Sequence, residues 1–416
     1  MNSTGKAEQR RWTRGRAGVV AIVALATVAL VTGAIAALAA VAAAAPAPPA
    51  AGGAVSPQAA VTTASASGPH LGLPTGSIIV VRRVGTHDSL WSVSPATTTA
   101  LKLIDLPFRP ARLLASPDNT KIAILPSAVG GKVYIFYRAL AKLAPLSFAS
   151  RGVKQIDGMT WLSATRLLVS GSHSAKRTIY PLADRLYTVT TTAGKPAAFR
   201  ALKGTEPSAA PGAKLLVYVR MRDGGRSAGL EPGARFVVEN LIRLKLVAGS
   251  KPHVIGHVRY VNSLDIRRFH DPGLSRDGKY VVTSTTGSDI SVSYMVRHAS
   301  TGSKVRTLDS ALMGRDVTAW SHAGDNVAFW GVPPIGSMTD TYLYLYKTGV
   351  KKLKHGSPIA NAVVTGLALA PDDSLIAYSV RTPVQADDQA ELWTVVPGTA
   401  ATPADLGAGS FPVWLP

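Results

Sequence analysis

The chain has 416 residues, a formal net charge of +21 and no cysteine. The absence of thiols excludes disulfides, cysteine nucleophiles and thiolate metal sites, so stability must come from packing. The Lys and Arg residues are scattered without a basic run, which argues against a nucleic-acid partner. An anionic lipid surface or an anionic envelope polymer fits this charge better.

The first 45 residues predict a membrane segment. Residues 1–16 hold five basic side chains and one acidic one, and the apolar run 17–45 carries no charge. About 20 helical residues cross a bilayer, and a basic flank stays in the cytoplasm. We therefore expect a single-pass signal anchor at the cell membrane, with a cytoplasmic N-terminus. Cleavage as a signal peptide near Ala42–Ala44 is the alternative, and it would release a secreted protein.

Residues 46–75 predict a linker. They are rich in Ala, Pro, Ser, Thr and Gly, and they carry neither a charge nor a periodic apolar pattern. This composition is typical of a flexible tether. We therefore expect the folded part, residues 76–416, to be held outside the cytoplasm and away from the membrane.

A strand–turn–strand unit recurs through the folded part. In its clearest copy, Leu274–Val282, a polar turn precedes an apolar, β-branched strand. A period in the forties built from strands predicts the blades of a β-propeller. The copies align at Ser116, Ser163, Ala210, Ser275, Ser321 and Ala370, with gaps of 47, 47, 65, 46 and 49 residues.

Each unit is followed by a third strand and, after a glycine-marked hairpin, a fourth; Val133–Phe136 and Val305–Leu308 are examples. The last residues, 411–416, match a first strand with nothing after it. The segments at the start of the folded part match second, third and fourth strands: Ile78–Val81, Leu90–Val93 and Leu101–Ile104. Together these ends predict a seventh blade that closes the ring.

The sequence therefore predicts an all-β chain, a seven-bladed β-propeller behind an N-terminal transmembrane helix. A six-bladed ring is the alternative if the copy at Ala210 is not a true repeat. The turns resemble those of TolB-type, WD-like propellers, in which a Ser-Pro-Asp-Gly-like turn precedes a strand; Ser116–Asn119 and Ala370–Asp373 match closely. The resemblance implies a scaffold that binds proteins or ligands, and it implies no particular chemistry.

The connections predict which face binds. In a propeller, second-to-third strand loops and blade-to-blade links share one face, here named the long-loop face. The shorter first-to-second and third-to-fourth turns share the other, here named the tight-turn face. Functional residues concentrate in long loops on rigid scaffolds. The longest connections are Ser172–Arg185 in blade two, Arg222–Arg235 in blade three, the link Asn262–Pro272 into blade four, and Thr382–Glu391 in blade six.

These connections predict a basic side on blades two to four and an acidic side on blade six. Solvated loops that serve solubility are the alternative interpretation. The candidate partner-binding residues are Lys176, Arg177, Arg185, Arg222, Arg226, Arg267, Arg268, His270, Asp387 and Asp388.

No catalytic, metal or cofactor site is predicted. Gly225–Gly229 has the spacing of a nucleophile elbow but lacks the strand and helix that this motif needs. The nine His residues are dispersed, and none has metal-ligand spacing. We expect Asp118, Asp277 and Asp372 to bond their own turns. Tryptophans at similar blade positions are expected to pack between blades: Trp91, Trp161, Trp320, Trp393 and Trp414.

The favoured function is therefore a membrane-tethered extracytoplasmic scaffold that binds another envelope protein or an anionic envelope polymer through its long-loop face. One alternative is a propeller enzyme, such as a hydrolase, lyase or quinone-dependent dehydrogenase, with converging titratable groups at the central channel. The other alternative is a sensor module that signals through a membrane partner.

Overall fold

The computed structural model describes residues 76–415 except 129, 175–183, 193–194, 227–234, 262–266, 287–290, 313–317, 332–339, 350–351, 361 and 383–388. The chain divides into two compact units, and all of these residues belong to the second, Ala59–Pro416. Within them, no helix has the length and apolar character that a membrane span requires. The predicted anchor over 17–45 and the linker over 46–75 lie outside the described residues.

The described part of the chain consists of strands and two short 3-10 helices, Arg138–Leu140 and Ala149–Arg151. The strands are β1 Ile78–Val84, β2 His87–Val93, β3 Ala100–Leu106, β4 Pro110–Ala115, β5 Lys121–Pro126, β6 Lys132–Tyr137, β7 Lys142–Ser147, β8 Gln155–Ser163, β9 Arg166–Ser172, β10 Arg185–Thr190, β11 Ala197–Lys203, β12 Thr205–Ala210, β13 Leu215–Asp223, β14 Phe236–Lys245, β15 His253–Val261, β16 Arg267–Leu274, β17 Tyr280–Thr286, β18 Ser291–His298, β19 Lys304–Leu312, β20 Thr318–Trp320, β21 Asn326–Gly331, β22 Asp340–Lys347, β23 Lys352–Ala360, β24 Val363–Leu369, β25 Ile376–Arg381, β26 Glu391–Val395, β27 Ala404–Ala408 and β28 Ser410–Trp414.

These strands form seven four-stranded antiparallel sheets, which are the blades of a seven-bladed propeller. Blades one to six take β4–β7, β8–β11, β12–β15, β16–β19, β20–β23 and β24–β27 in order. Blade seven is β28-β1-β2-β3, so the two ends of the folded region share one sheet, as predicted. Ile78 pairs with Trp414 and Ile79 with Val413. The six-bladed alternative is wrong, because the copy at Ala210 belongs to the first strand of blade three.

The first strand of each blade lies nearest the central axis. First strands of neighbouring blades contact one another around most of the ring, for example β8 with β12 and β24 with β28. The second strands are the most deeply buried because each lies between neighbouring blades; Ile78, Ile79 and Val80 are fully buried. Burying such a side chain stabilises the fold by about 1.5–3 kcal/mol.

The polar turns have a structural role, as predicted. In the turn after β16, the Ser275 hydroxyl donates to Asp277 Oδ1 at 2.7 Å, and Asp277 Oδ1 also accepts from the Lys279 N–H at 3.0 Å. Gly278 in this turn has φ +71°, a conformation that favours glycine. Asp118 and Asp372 likewise accept from the backbone N–H two residues later.

The tryptophans pack between blades, but at two kinds of position instead of one. Trp161, Trp320 and Trp414 lie on first strands, whereas Trp91 and Trp393 lie on third strands. The indole N–H of Trp161 donates to Leu114 O of the preceding blade at 3.0 Å, and that of Trp320 donates to Gly273 O at 2.8 Å. First and third strands share the same alternating apolar pattern, so the position of a tryptophan in that pattern does not show which of the two strands it belongs to.

Two predicted long connections are partly strand. The predicted link Asn262–Pro272 is wrong in its second half, because β16 begins at Arg267 and includes Arg268 and His270. Charged residues are tolerated there because the innermost strand has an unpaired edge at the axis. In blade three, β13 and β14 extend to nine and ten residues, so Arg222 pairs with Val238 on a ladder. On the tight-turn face, where turns of two to five residues are predicted, the turns 246–252 and 396–403 have seven and eight residues.

Candidate functional site

The described members of the predicted site lie at the long-loop ends of blades two to four. Arg185 opens β10 and is exposed. Arg222 near the end of β13 and Arg226 just beyond it are also exposed. The backbones of Arg267, Arg268 and His270 lie on β16. Four predicted residues lie outside the described part of the chain: Lys176, Arg177, Asp387 and Asp388.

The long hairpin of blade three presents the basic side chains. Its end is held together by an ion pair between Arg235 and Asp223, and Asp223 Oδ1 also accepts from the Gly225 N–H at 2.9 Å. Arg259 stacks over the Phe236 ring, with 4.0 Å from its guanidinium carbon to the ring centroid. The bonds of Asp223 therefore fix the hairpin end at which Arg222 and Arg226 are exposed.

Near the long-loop face, the innermost strand of six blades contains at least one extra residue that interrupts the ladder, among the residues that the structure describes; β16 contains two. At three of these bulges the extra residue precedes a proline and has a positive φ: +51° at Glu206, +41° at Asp271 and +54° at Phe411. Bulges of this kind re-aim a side chain and recur next to functional sites. The interrupted positions are Ala111, Asp157, Glu206, Asp271, Thr365 and Phe411.

Two of the bulges are followed by glycine because the next blade approaches closely. A Cβ on Gly158 would lie 3.1 Å from Pro207 Cδ of blade three, and one on Gly366 would lie 2.6 Å from Pro412 Cδ of blade seven. The glycine of one bulge therefore accommodates the proline of the next. This packing fixes the backbone at the axis without a long loop.

The bulges of blades two, three and four place acidic residues around the axis. Asp157, Glu206 and Asp271 are all partly buried, and Glu206 Oε2 accepts from the Asp271 N–H at 3.0 Å. We call these three residues the acidic arc. It lies nearer the central axis than the basic hairpin of the same face, and it was not predicted from the sequence. The sequence did carry a signal for these residues, because each is an acid followed by glycine or proline early in a first strand. The pairs are Asp157-Gly158, Glu206-Pro207 and Asp271-Pro272.

Asp184 joins the acidic arc from the base of the blade-two loop. It is 2% exposed, and its carboxyl group hydrogen-bonds to the carboxyl group of Asp157 and to the side chain of Ser172. Burial, followed by the neighbouring Asp157 carboxylate, raises the pKa of Asp184 to about 8. A proton held by Asp184 therefore bridges the two carboxyl groups near neutral pH.

Further bonds connect this pair to the start of blade three. Gln155 Nε2 donates to Asp157 Oδ1 at 2.5 Å, and the Asp184 carbonyl oxygen accepts from the Gly204 N–H at 2.9 Å. Thr205, the first residue of β12, follows directly and is 1% exposed. The junction between blades two and three thus contains a buried polar network.

A second buried carboxylate lies between blades three and four. Glu239 is fully buried, and its Oε2 accepts from the Phe269 N–H at 3.2 Å and from the Tyr260 hydroxyl at 3.4 Å. These bonds join β14, β15 and β16. A buried charge needs such partners, so Glu239 holds the innermost strand of blade four against blade three.

The described residues contain no group of three or more His, Asp or Glu side chains arranged to hold a metal ion. A cleft of about 330 Å³ lies on the tight-turn face between blades two and three. The Arg200 guanidinium at its wall donates to Ser250 O and Val247 O. Because this guanidinium already bonds to the neighbouring blade, the cleft is a weaker candidate for the partner-binding site than the long-loop face.

No family model matches the chain, and no curated protein matches it. Solved structures do. A chain described as TolB from Agrobacterium tumefaciens is 14% identical, with a TM-score of 0.43 over 68% of this chain and 88% of that chain. The β-propeller domain of Cps50 (Swd1) from Myceliophteria thermophila is 12% identical, with a TM-score of 0.43 over 72% of this chain and 86% of that chain. Hydrazine synthase from Kuenenia stuttgartiensis is 13% identical, with a TM-score of 0.43 over 68% and 76%.

The predicted propeller fold is confirmed. The seven four-stranded sheets establish that fold by themselves.

Proposed function

We propose that this protein is a membrane-tethered, extracytoplasmic propeller that binds an envelope protein or an anionic envelope polymer through the long-loop face of blades two to four. The observation that carries the proposal is the braced hairpin of blade three, which holds Arg222 and Arg226 exposed beside the strand that bears Arg267 and Arg268. A rigid, closed scaffold that presents exposed basic side chains suits a large anionic partner.

Charge supports this proposal. Residues 76–416 hold 40 of the 45 Lys and Arg residues and 23 of the 24 acidic ones, which leaves a net charge of +17. Attraction between this surface and a polyanion is expected to weaken as salt shortens the screening length from about 10 Å at 0.1 M to about 3 Å at 1 M. The tether is supported by the 29-residue uncharged run that follows a basic N-terminus.

The test is charge reversal at Arg222, Arg226, Arg267 and Arg268. The full-length variant is expected to lose affinity for isolated cell envelopes, and crosslinking in intact cells is expected to recover fewer partners. A matched control reverses four exposed basic residues of the tight-turn face: Lys142, Arg166, Lys245 and Lys251. Equal binding by wild type and the long-loop variant, or equal losses in both variants, would contradict a role for the long-loop face.

The enzyme alternative expects converging titratable groups at the axis, and the Asp157–Asp184 pair meets that expectation. However, Asp184 is only 2% exposed, so a substrate at the axis does not touch it in this conformation. A catalytic residue must contact the reacting atoms. The burial of Asp184 therefore supports the binding proposal over the enzyme alternative.

A further inference from the structure

The cleft on the tight-turn face between blades two and three combines cationic and apolar side chains. It encloses about 330 Å³, and among the described residues that line it none is acidic. Its apolar part consists of Leu162, Phe199 and Leu246, which belong to or pack against the core cluster that blades two and three share. Small-molecule sites in proteins have this composition, an apolar lining with a few polar groups that fix orientation.

Arg200 is fixed at this cleft by the backbone around it. Its guanidinium donates to Ser250 O at 3.1 Å and to Val247 O at 2.9 Å. Arg200 and Ala201 both have positive φ, +49° and +52°, where the ladder between β10 and β11 shifts its register. Bulges re-aim side chains, and residues held in this conformation cluster at ligand sites. Two of the five N–H groups of the guanidinium serve these carbonyls, so the others can bind a ligand.

Arg166 contributes the second positive charge to the cleft. It begins β9 and is exposed, and its guanidinium has no hydrogen bond or ion pair with any residue that the structure describes. Its ladder partners Ser163 and Thr190 line the same cleft and bring two hydroxyl groups to it. An arginine without an internal partner keeps its two-pronged donor set for a carboxylate or a phosphate.

The sequence around the cleft makes the local charge strongly positive. The tight-turn segments of blades two and three contain six basic residues and no acidic one, in 162–166, 190–200, 210–215 and 245–253. The first-to-second turns of four other blades each carry an aspartate: Asp118, Asp277, Asp325 and Asp372. The carboxylate that offsets basic residues in those turns is therefore missing at the cleft. A surface of one sign attracts ligands of the opposite sign.

We propose that this cleft binds a small amphipathic anion, a molecule with a phosphate or carboxylate head group and a short apolar part. The head group would bond to Arg166 and Arg200, and the apolar part would lie against Phe199 and Leu246. A volume of about 330 Å³ holds about ten groups of the size of a water molecule. This is too small for the two chains of a bilayer lipid, so the ligand is a free molecule. The site lies on the face opposite the basic hairpin and does not depend on the proposed function.

The experiment uses full-length protein kept free of detergent in phosphatidylcholine nanodiscs, with empty nanodiscs as the blank. Phenyl phosphate is titrated and its binding is followed by ligand-observed NMR. We expect one molecule to bind with a Kd on the order of 10⁻³ M, as its small size allows. Inorganic phosphate lacks the apolar ring and phenol lacks the charge, so each should bind at least about tenfold more weakly. Vesicles of phosphatidylglycerol should not displace phenyl phosphate.

Arg166→Gln removes the unpaired guanidinium and should weaken binding of phenyl phosphate about tenfold or more. Because Arg166 is exposed and unbonded, the variant should keep the Tm of the wild type. Lys142→Gln is the matched control, since Lys142 is exposed on the same face but does not line the cleft, and it should bind phenyl phosphate as the wild type does.

Three results would overturn the proposal: no saturable binding of phenyl phosphate up to about 20 mM, equal binding by wild type and Arg166→Gln, or equal binding of phenyl phosphate and phenol. The comparison of these two ligands needs no variant, so the test remains decisive if Arg166→Gln does not fold. Displacement by phosphatidylglycerol vesicles would overturn the assignment of a free ligand. Charge reversal on the long-loop face should leave phenyl phosphate binding unchanged, so the two proposals fail independently.

Discussion

Replacing Asp184 with Asn should change how the free energy of unfolding depends on pH. Asp184 ionises with a pKa of 3.8 in the unfolded chain and about 8 in the folded chain. At a pH between these two pKa values, Asp184 has released its proton in the unfolded chain and still holds it in the folded chain. Stability from this proton is therefore complete below the unfolded pKa and is lost as pH rises toward the folded pKa.

The magnitude follows from one proton. The loss is about 1.4 kcal/mol per pH unit, or about 3 kcal/mol between pH 5 and pH 7. Asn resembles the protonated carboxyl in shape and donates a hydrogen bond to Asp157, but it has no proton to release. The variant should therefore gain about 3 kcal/mol over wild type across this interval. Asp157 and Glu206, the charged neighbours, are present in both proteins.

Urea unfolding at pH 5, 6 and 7, followed by tryptophan fluorescence, measures the free energy of unfolding of both proteins. Asp105→Asn is the matched control, since it removes one exposed carboxylate from blade seven. The control should show no such pH-dependent gain. A difference between Asp184→Asn and wild type that stays constant over this range would refute the proton-sharing pair.

Three further outcomes test the ring itself. Trp320→Phe removes the donor to Gly273 O and should lower the free energy of unfolding by about 1–3 kcal/mol. Trp393→Phe should lower it less, because the indole N–H of Trp393 meets only an exposed carboxylate, at 3.3 Å. Equal losses in urea unfolding would contradict the cross-blade role of Trp320. Gly302→Ala should destabilise the fold far more than Gly85→Ala. Both glycines have positive φ, which alone costs about 1–2 kcal/mol, but only a Cβ on Gly302 would meet another atom, Ile255 O at 1.7 Å. Similar losses of stability in the two variants would show that this contact relaxes freely. Deleting residues 410–416 removes β28 and should abolish cooperative thermal unfolding in calorimetry, whereas deleting Pro416 alone should not; a cooperative transition in the first variant would show that closure is dispensable.

The architecture was predictable because it repeats. Turns such as Ser275–Lys279 need particular residues for local reasons, and six copies at similar spacing leave few other folds. The closing blade was equally readable, since Phe411–Leu415 is a strand without a following hairpin and Ile78–Val81 is one without a preceding turn. Local chemistry and long-range order agree at these places.

The acidic arc was not predictable in the same way. Asp157, Glu206 and Asp271 are far apart in the sequence, and only the shared register of three innermost strands brings them to one side of the axis. Arg222 and Arg226 are exposed, whereas Arg267 lies on a strand because it pairs with Thr286 of β17. A charge count along the chain does not distinguish a strand edge from a loop.

The closing blade also sets an orientation. Strand β28 runs from the long-loop face to the tight-turn face, and the Gly76 N–H donates to Leu415 O at 3.1 Å beside the start of β1. Gly76, the first described residue, therefore lies at the tight-turn end of the ring. The two ends of the described chain thus meet at the tight-turn face, on the opposite side of the ring from the basic hairpin and the acidic arc.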